Sequence, residues 1–336
     1  MKKGLMAVAL AAMVSMSSGV AMAAPGDVTF DGNINLQVGE VDYPKLDVSK
    51  SGADFVLTLN GNVNVAKNLD AFARFTYQRL TDELEGTTFQ LYPHATGVID
   101  AYGLKYNNAG YKVAVGKQSL TIGSGLIYDN GFIGNQSLPY SAVVSKKVGA
   151  TDLTAFYART DYQSSVDNDK FYGLQGNYAV NDKFTVGAMF TAVKYGADNA
   201  YILTGNGTSQ NFIEVSGSYQ IDPKLSFGAA YAQSNADTDN QAYIGTFGYT
   251  FDDKNKASIS GYRVEDLANI NDVNWGGLTT APNANTQGVT ISYNHVINKN
   301  TTLSVSRSMY TNINAATLGG DNRDRVKTQA SLNYSF

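Results

Sequence analysis

Residues 55–65 read FVLTLNGNVNV, and in this stretch polar and apolar side chains alternate along the chain. Phe55 and Leu57 fall on one face of an extended backbone, and Thr58 and Asn60 fall on the other. A period of two residues is typical of a β-strand with one apolar face and one polar face. The stretch therefore predicts a strand and not a helix.

The same alternation recurs along most of the chain. About sixteen such segments are present, and each is long enough to cross a bilayer on a tilt. An even number of long strands is typical of single-chain bacterial barrels. The other predicted strands lie near 27–39, 69–80, 97–107, 110–118, 140–148, 151–162, 168–180, 183–195, 208–221, 224–235, 238–251, 256–266, 286–297, 301–310 and 324–336.

Short and long connections alternate between these segments along the chain. Tight turns on one rim and long loops on the other are the layout of an outer-membrane barrel, whereas a soluble sandwich has no reason to sort its loops. We therefore predict an all-β, antiparallel up-and-down transmembrane β-barrel of about 16 strands, with short periplasmic turns and long extracellular loops. The short connections are 66–68, 107–109, 181–182, 222–223, 252–255 and 298–300. The other set comprises 40–52, 81–96, 119–139, 196–207, 267–285 and 311–323, with short exceptions near 163–167 and 236–237.

The N-terminus has the features of a secretory signal peptide over residues 1–23. A basic start precedes an apolar stretch over 5–14 and a small-x-small cleavage site at 21–23. We expect residues 24–336 to form one barrel domain in the bacterial outer membrane. The chain has no cysteine, so disulfides do not stabilise it, and its 29 acidic residues outnumber 25 basic ones, which argues against nucleic acid as a partner.

Small polar side chains occupy the second face of the strands, which we assign to the inside of the barrel. Asn60, Asn62 and Glu214 are predicted to line it. A closed sheet of about sixteen strands is too wide for its side chains to fill and encloses water. The pattern therefore predicts an aqueous channel.

Several basic residues share the inward face. A charge that faces lipid at mid-depth costs about 2–4 kcal/mol, so an inward position is favoured. Opposed charges across a narrow passage would sort solutes by charge. The wall bases predicted from alternation are Arg74, Lys147, Arg325 and Lys327.

The connection 119–139 carries more apolar side chains than a surface loop should. Leaving them in water costs about 25 cal/mol per Å² of exposed apolar area. We therefore expect this loop to fold inward and narrow the passage. Its apolar residues are Ile122, Leu126, Ile127, Phe132 and Ile133.

Two sets of motifs resemble known sequences. GLKY at 103–106, VGK at 115–117 and GLIYD at 125–129 resemble the strand, strand end and pore loop of Gram-negative general porins. The alternating C-terminus, with Tyr334 and a final Phe336, resembles the recognition signal of outer-membrane barrels. The resemblance implies a homotrimer of 16-stranded barrels, recognition of the last strand by the barrel-assembly machinery, and a constriction of wall bases facing loop acids.

By position in the resemblance, Lys117 would be a wall base and Asp129 a loop acid. The chain departs from the family pattern because residues 130–139 contain no Asp or Glu. Strict alternation from Val115 also turns Lys117 outward, so either a β-bulge re-aims it or Lys112 is the inward base.

The predicted function is passive diffusion of small hydrophilic solutes and ions through a water-filled channel. A solute-specific channel and a structural or adhesive barrel with a plugged lumen are the alternatives. No enzyme is expected, because His94 and His295 lie apart and neither has a serine placed as a nucleophile. No cofactor or resident metal is expected either, although residues 321–324 have the oxygen ligands that calcium prefers.

Overall fold

A computed structural model describes residues 28–44, 47–80, 95–129, 138–160, 168–196, 208–270, 284–314 and 324–336. The expected signal peptide, 1–23, lies outside these ranges. Within them the alternating segments form strands, and no helix there is long and apolar enough to cross a bilayer.

The strands, in chain order, are β1 (Val28–Tyr43), β2 (Val48–Ala66), β3 (Leu69–Leu80), β4 (Ala95–Asn108), β5 (Tyr111–Lys117), β6 (Thr121–Ile122), β7 (Tyr128–Asp129), β8 (Tyr140–Val148), β9 (Thr151–Arg159), β10 (Lys170–Asn181), β11 (Phe184–Lys194), β12 (Ser209–Gln220), β13 (Leu225–Ser234), β14 (Gln241–Thr250), β15 (Asn255–Val264), β16 (Thr286–Asn298), β17 (Thr301–Asn312) and β18 (Arg325–Ser335).

Sixteen of these strands close into one antiparallel barrel, which confirms the predicted architecture. Each barrel strand pairs with its neighbours in the sequence, with two exceptions: β5 pairs with β8 across the loop that holds β6 and β7, and β1 pairs with β18 to close the ring. Strands β6 and β7 form a separate two-stranded sheet. Closure leaves no open edge among the sixteen described barrel strands, as a strand-built membrane protein requires.

The first and last strands meet at a seam that the C-terminal residue completes. The Gly32 N–H donates to the Phe336 carbonyl and the Phe336 N–H donates to the Gly32 carbonyl, each over 3.0 Å. A Cβ at Gly32 would lie 2.8 Å from Cζ of the Phe336 ring, so glycine leaves room for that ring. The Phe336 ring stacks on Tyr334 with a centroid separation of 6.1 Å.

The two faces of the sheet follow the alternation. On β1, Leu36 and Val38 are exposed on the outer face, whereas Asn33 and Gln37 face inward. Exposed aromatic residues lie beside the tight turns and near the other ends of the strands, as two belts at the membrane interfaces require. They include Tyr106, Tyr111, Tyr157, Tyr178, Phe190, Tyr219, Tyr231 and Tyr249.

One predicted long loop was wrong. Residues 40–52 were expected to connect two strands, but β1 continues to Tyr43 and β2 already begins at Val48. The charged residues of this stretch still alternate with Val41 and Tyr43, which are buried inside the barrel. The pairing of β1 with β2 therefore continues beyond the apolar part of the outer surface. A strand that extends beyond the membrane can carry charges on its outer face.

Candidate pore and constriction

The described part of the loop between β5 and β8, residues 118–129, lies inside the barrel. Ile122 and Ile127 are 0% exposed and Leu126 is 1% exposed, and the Tyr128 ring lies 4.7 Å from that of Phe171. These three aliphatic residues therefore behave as predicted, while Phe132 and Ile133 lie outside the described residues. The same buried cluster contains residues of the barrel strands and of the connections just beyond them, namely Phe156, Ala158, Phe171, Met189, Val193, Tyr195, Phe212, Ala230, Ala232, Ala242, Val264, Ala268 and Ile270. We call this surface the loop-covered wall.

Backbone hydrogen bonds fix the loop to that wall. The Gly123 N–H donates to Gln175 Oε1 over 2.8 Å, and the Ser124 N–H donates to Glu214 Oε1 over 2.6 Å. Further along, the Ile270 N–H donates to the carbonyl of Ile127 over 3.0 Å. The loop is therefore held at three separate places on the wall.

Glycine is required at the point where the loop touches Glu214. Gly123 has a φ of +63°, and a Cβ there would lie 2.5 Å from Glu214 Oε2. Glu214, predicted to line the pore, is inward but only 2% exposed because the loop covers it. Its carboxylate therefore fixes the loop and does not face open water.

Asp129, the predicted loop acid, lies on β7 within this inward loop. It is partly exposed, and its Oδ1 accepts a hydrogen bond of 2.9 Å from the Thr121 hydroxyl on β6. The short β6–β7 sheet thus presents a carboxylate on a fixed backbone inside the barrel.

The two candidate bases of β5 occupy different places. Lys117 lies on the outward face of β5, paired with Tyr102 and Tyr140. Its side chain is only 3% exposed, and its ammonium lies 5.6 Å from the centroid of the Tyr140 ring. Lys112 is inward and exposed, but it follows the tight turn at Ala109 by three residues. Lys117 is therefore buried beside an aromatic pair, and Lys112 lies near the tight-turn rim.

Arg74 faces inward and is paired with an acid that alternation does not reveal. Its guanidinium donates to both oxygens of Asp100 over 2.7 and 2.9 Å, and Thr76 donates to the same carboxylate over 3.0 Å. The register shifts between Arg74 and Phe75, opposite Asp100, and this bulge places the carboxylate beside Arg74. Asp100 partly neutralises the predicted wall base.

The remaining predicted bases have different surroundings. The Arg325 guanidinium lies 5.7 Å from the Tyr43 ring and 5.8 Å from the Tyr310 ring. Lys327 is 1% exposed, and its ammonium has no hydrogen-bond partner among the described residues. Lys147 was expected at the constriction, but it lies next to the Gly149 turn, 4.0 Å from Asp152, and both side chains are mostly exposed. Lys147 is thus a residue of the pore mouth.

Asn60 and Asn62 are inward on β2, as predicted. The Asn60 amide donates to Asp31 Oδ1 over 2.6 Å, and Asn60 is paired in register with Arg74. We call the inward face of β16–β18 and β1–β4 the polar wall. Its buried polar residues include Asp54, Thr58, Thr76, Gln78, Asp100, Ser308, Lys327 and Gln329.

The histidine that the structure describes, His295, lies outside the lumen. His94 lies outside the described residues. His295 is on the outer face, opposite Leu303, and its Nδ1 lies 2.8 Å from Asn255 Oδ1.

Comparison with known proteins identifies the family of this chain. Residues 7–315 match the model of the Gram-negative porin family, so the chain belongs to that family. A triple mutant of the Rhodopseudomonas blastica porin is similar in structure, with a TM-score of 0.59 and 12% identity over 92% of this chain and 100% of that chain. A second mutant of the same porin gives 0.58 and 13% over the same shares. No protein with a curated function matches the sequence.

Family and fold together define an outer-membrane channel for passive diffusion. The closed sixteen-stranded barrel has an apolar outer face and a lumen lined in part by polar residues, as such a channel needs. Its class is that of a channel and not that of an enzyme.

Proposed function

We propose that this porin admits small hydrophilic solutes and ions, and that the inward loop 119–139 sets its size limit. The burial of Ile122, Leu126 and Ile127 against the wall carries this proposal, because a loop fixed there takes up part of the cross-section. A permanently plugged barrel and a solute-specific channel are the alternatives.

Conductance in a planar bilayer separates these possibilities. We expect the purified mature chain to give open channels whose current rises in proportion to salt concentration. A plugged barrel would give no stepwise increases in current. A solute-specific channel would show a current that one class of solute blocks at low concentration. Either result would replace the diffusion proposal.

We further propose that Asp129 gives the passage its charge preference. Its carboxylate is partly exposed on the loop, whereas the predicted bases Arg74 and Lys327 are paired or buried. Across a gap comparable to the Debye length of about 8 Å at physiological salt, one fixed charge affects passing ions. The preference should therefore be for cations.

The proposed assembly is a homotrimer. Arg307 lies on the outer face, paired with Ile291 and Thr328, and Glu40 is paired with Thr328 on the other side. An arginine facing lipid at mid-depth costs about 2–4 kcal/mol, so this outer face is better suited to a second protomer. Arg307→Leu should leave a folded barrel that runs as a monomer in mild detergent.

The tight-turn rim is proposed to face the periplasm. Cysteines placed at Lys224, in a tight turn, and at Asp324, before β18, would report the orientation on intact cells. An impermeant reagent should label Asp324→Cys and not Lys224→Cys. The opposite pattern would invert the topology.

We also propose that Tyr334 and Phe336 act as the recognition signal for the barrel-assembly machinery. Phe336 supplies both backbone bonds at the seam with Gly32. Deleting Phe336 should lower the yield of folded, heat-modifiable barrel in the outer membrane. In contrast, Phe336→Tyr keeps the ring and both bonds and should assemble normally.

A further inference from the structure

The polar wall buries two opposite charges that do not meet each other. Lys327 on β18 is 1% exposed, and Asp54 on β2 is 7% exposed. Among the described residues, neither the Lys327 ammonium nor the Asp54 Oδ1 atom has a hydrogen-bond partner. Burying a charge is costly unless an opposite charge or hydrogen bonds compensate it. Each of the two groups therefore calls for a partner.

The strand between them sets their separation. Lys327 is opposite Val41 of β1. Asp54 is opposite Gln37, four residues further back on the same strand. Four residues along a strand and two strand spacings across the sheet place the Cα atoms of Lys327 and Asp54 about 16 Å apart. A lysine and an aspartate side chain together are too short to close this distance, so the two charges cannot form an ion pair directly.

Two glycines lie in the space between these charges. Gly39 of β1 is paired with Gly52 of β2, and both are inward positions, so no side chain projects from the wall there. Both glycines are partly exposed, although the charged side chains beside them are buried. A backbone without side chains lets a ligand approach closely. We call this place on the polar wall the glycine recess.

Two glutamines complete the polar groups of the glycine recess. Gln329 is opposite Gly39, at the next inward position of β18 after Lys327. It is 8% exposed, and its Nε2 atom has no partner among the described residues. The Gln78 amide donates to Asp54 Oδ2 over 3.1 Å and so fixes that carboxylate. The recess therefore has two unpaired donors on one side and an unpaired acceptor on the other.

We propose that the glycine recess binds a small zwitterion, such as an amino acid with an uncharged side chain. The ligand carboxylate accepts hydrogen bonds from Lys327 and Gln329, and the ligand ammonium donates to Asp54. Charge-assisted bonds of this kind are about twice as strong as neutral ones. A simple anion would leave Asp54 unpaired, and a simple cation would leave Lys327 unpaired. The inference rests on the proposed open channel for access, and it adds the class of solute that is bound on the way.

The test compares glycine with glycolamide, its uncharged isomer. The folded mature chain is titrated in detergent with each solute, and binding is measured by saturation-transfer NMR. Glycine should bind at least about tenfold more tightly than glycolamide, which corresponds to about 1.4 kcal/mol. Acetate and methylamine each carry one of the two charges and should bind no better than glycolamide. Equal binding of glycine and glycolamide would overturn the proposal.

Substitutions at the two ends of the recess test its residues. Lys327→Met and Asp54→Asn should each lower the affinity for glycine by about tenfold, since each removes one of the two charge-assisted contacts. Lys256→Met and Asp152→Asn remove the same charges from inward positions near the tight turns and should bind glycine as wild type does. Equal losses in all four variants would indicate a general effect of lumen charge and would exclude the recess as the site.

Folding and channel activity are monitored separately. Heat-modifiable migration shows whether each variant is folded. If Lys327→Met is not, Gln329→Leu keeps both charges and should lower the glycine affinity by about threefold, as expected for one lost hydrogen bond. A chain that conducts salt but does not distinguish glycine from glycolamide would refute the recess and leave the diffusion proposal intact. A chain that binds glycine but gives no current would refute the diffusion proposal alone.

Discussion

The two halves of the inner surface differ in what they contact, although strands with the same alternation build both. On the loop-covered wall the inward residues include Phe156, Phe171 and Phe212, buried under the loop. On the polar wall the inward residues include Thr76 and Gln78, which bond to wall acids. An apolar inward residue in a wide barrel therefore indicates a protein contact, and a polar one indicates a wall network or water.

The largest effect on this contrast is expected from removing the loop. Deleting residues 123–134 should give a larger single-channel conductance and admit larger solutes, because the segment fixed to Gln175 and Glu214 would be gone. Planar-bilayer recording and liposome swelling with sugars of graded size measure both effects. Unchanged conductance and size limit would mean that the loop does not narrow the passage.

The next largest effect is expected from Phe171→Ala beneath the loop. Loss of a buried phenylalanine costs about 3–5 kcal/mol, since a cavity forms under Tyr128. Phe190→Ala removes the same side chain from the outer face of β11, where lipid can replace it, and should cost less. Denaturant unfolding in vesicles measures both, and equal losses would contradict the idea that the loop-covered wall is a packed core.

Gly123→Ala separates backbone strain from the contact with the wall. Gly123 and Gly149 have φ values of +63° and +60°, but only Gly123 has an atom close enough to clash with a new Cβ. Gly149→Ala should cost about 1–2 kcal/mol through strain alone. Gly123→Ala should add a displaced loop, visible as altered conductance and noisier current. A wild-type current in Gly123→Ala would show that the Glu214 side chain moves aside for the methyl group without displacing the loop.

A smaller effect is expected from Asp129→Asn. Removing this carboxylate should shift the reversal potential in a salt gradient toward anion preference, and more so at low salt. Asp152→Asn removes the same charge at the mouth, where the side chain is 63% exposed, and should shift it less. Equal shifts would show that charge in the loop has no special effect.

The smallest effect concerns a tight turn outside both walls. Backbone N–H groups of Lys224 and Leu225 donate to Asp222, and these bonds hold the pKa of its carboxyl below the usual value. A lowered folded-state pKa stabilises the fold above the unfolded value of about 3.9, and this stability is lost as the pH falls through the lowered pKa. Asp222→Asn should thus slightly weaken the barrel at pH 7 and flatten the loss of stability below pH 4. Asp253→Asn is the control. Identical pH profiles for the two variants would show that the hydrogen bonds to Asp222 do not contribute to the pH dependence of stability.

Much of the fold could be predicted because alternation is local. The face of each strand follows from a period of two residues, and this identified the inward positions of Arg74, Lys327 and Glu214. The inward fold of the loop followed from the cost of leaving Ile122 and Ile127 in water.

The partners inside the barrel could not be predicted in the same way. Ser124 donates a hydrogen bond to Glu214, which is 90 residues away in the sequence. The residues of the loop alone do not determine which part of the wall it contacts. Asp100 reaches Arg74 through a register shift that an alternating pattern does not show. Burial of Lys327 likewise depends on the residues that pack around it, which the face of a strand does not specify.

The seam between β1 and β18 has a consequence for the order in which the barrel forms. Its ladder pairs Asn33 with Ser335 and Asp42 with Val326, so the two strands that close the cylinder are separated in the sequence by all the others. Until β18 is in place, the backbone N–H and C=O groups on that edge of β1 have no barrel partner and can pair with another chain. Closure of the cylinder is therefore also the step that protects the chain from edge-to-edge aggregation.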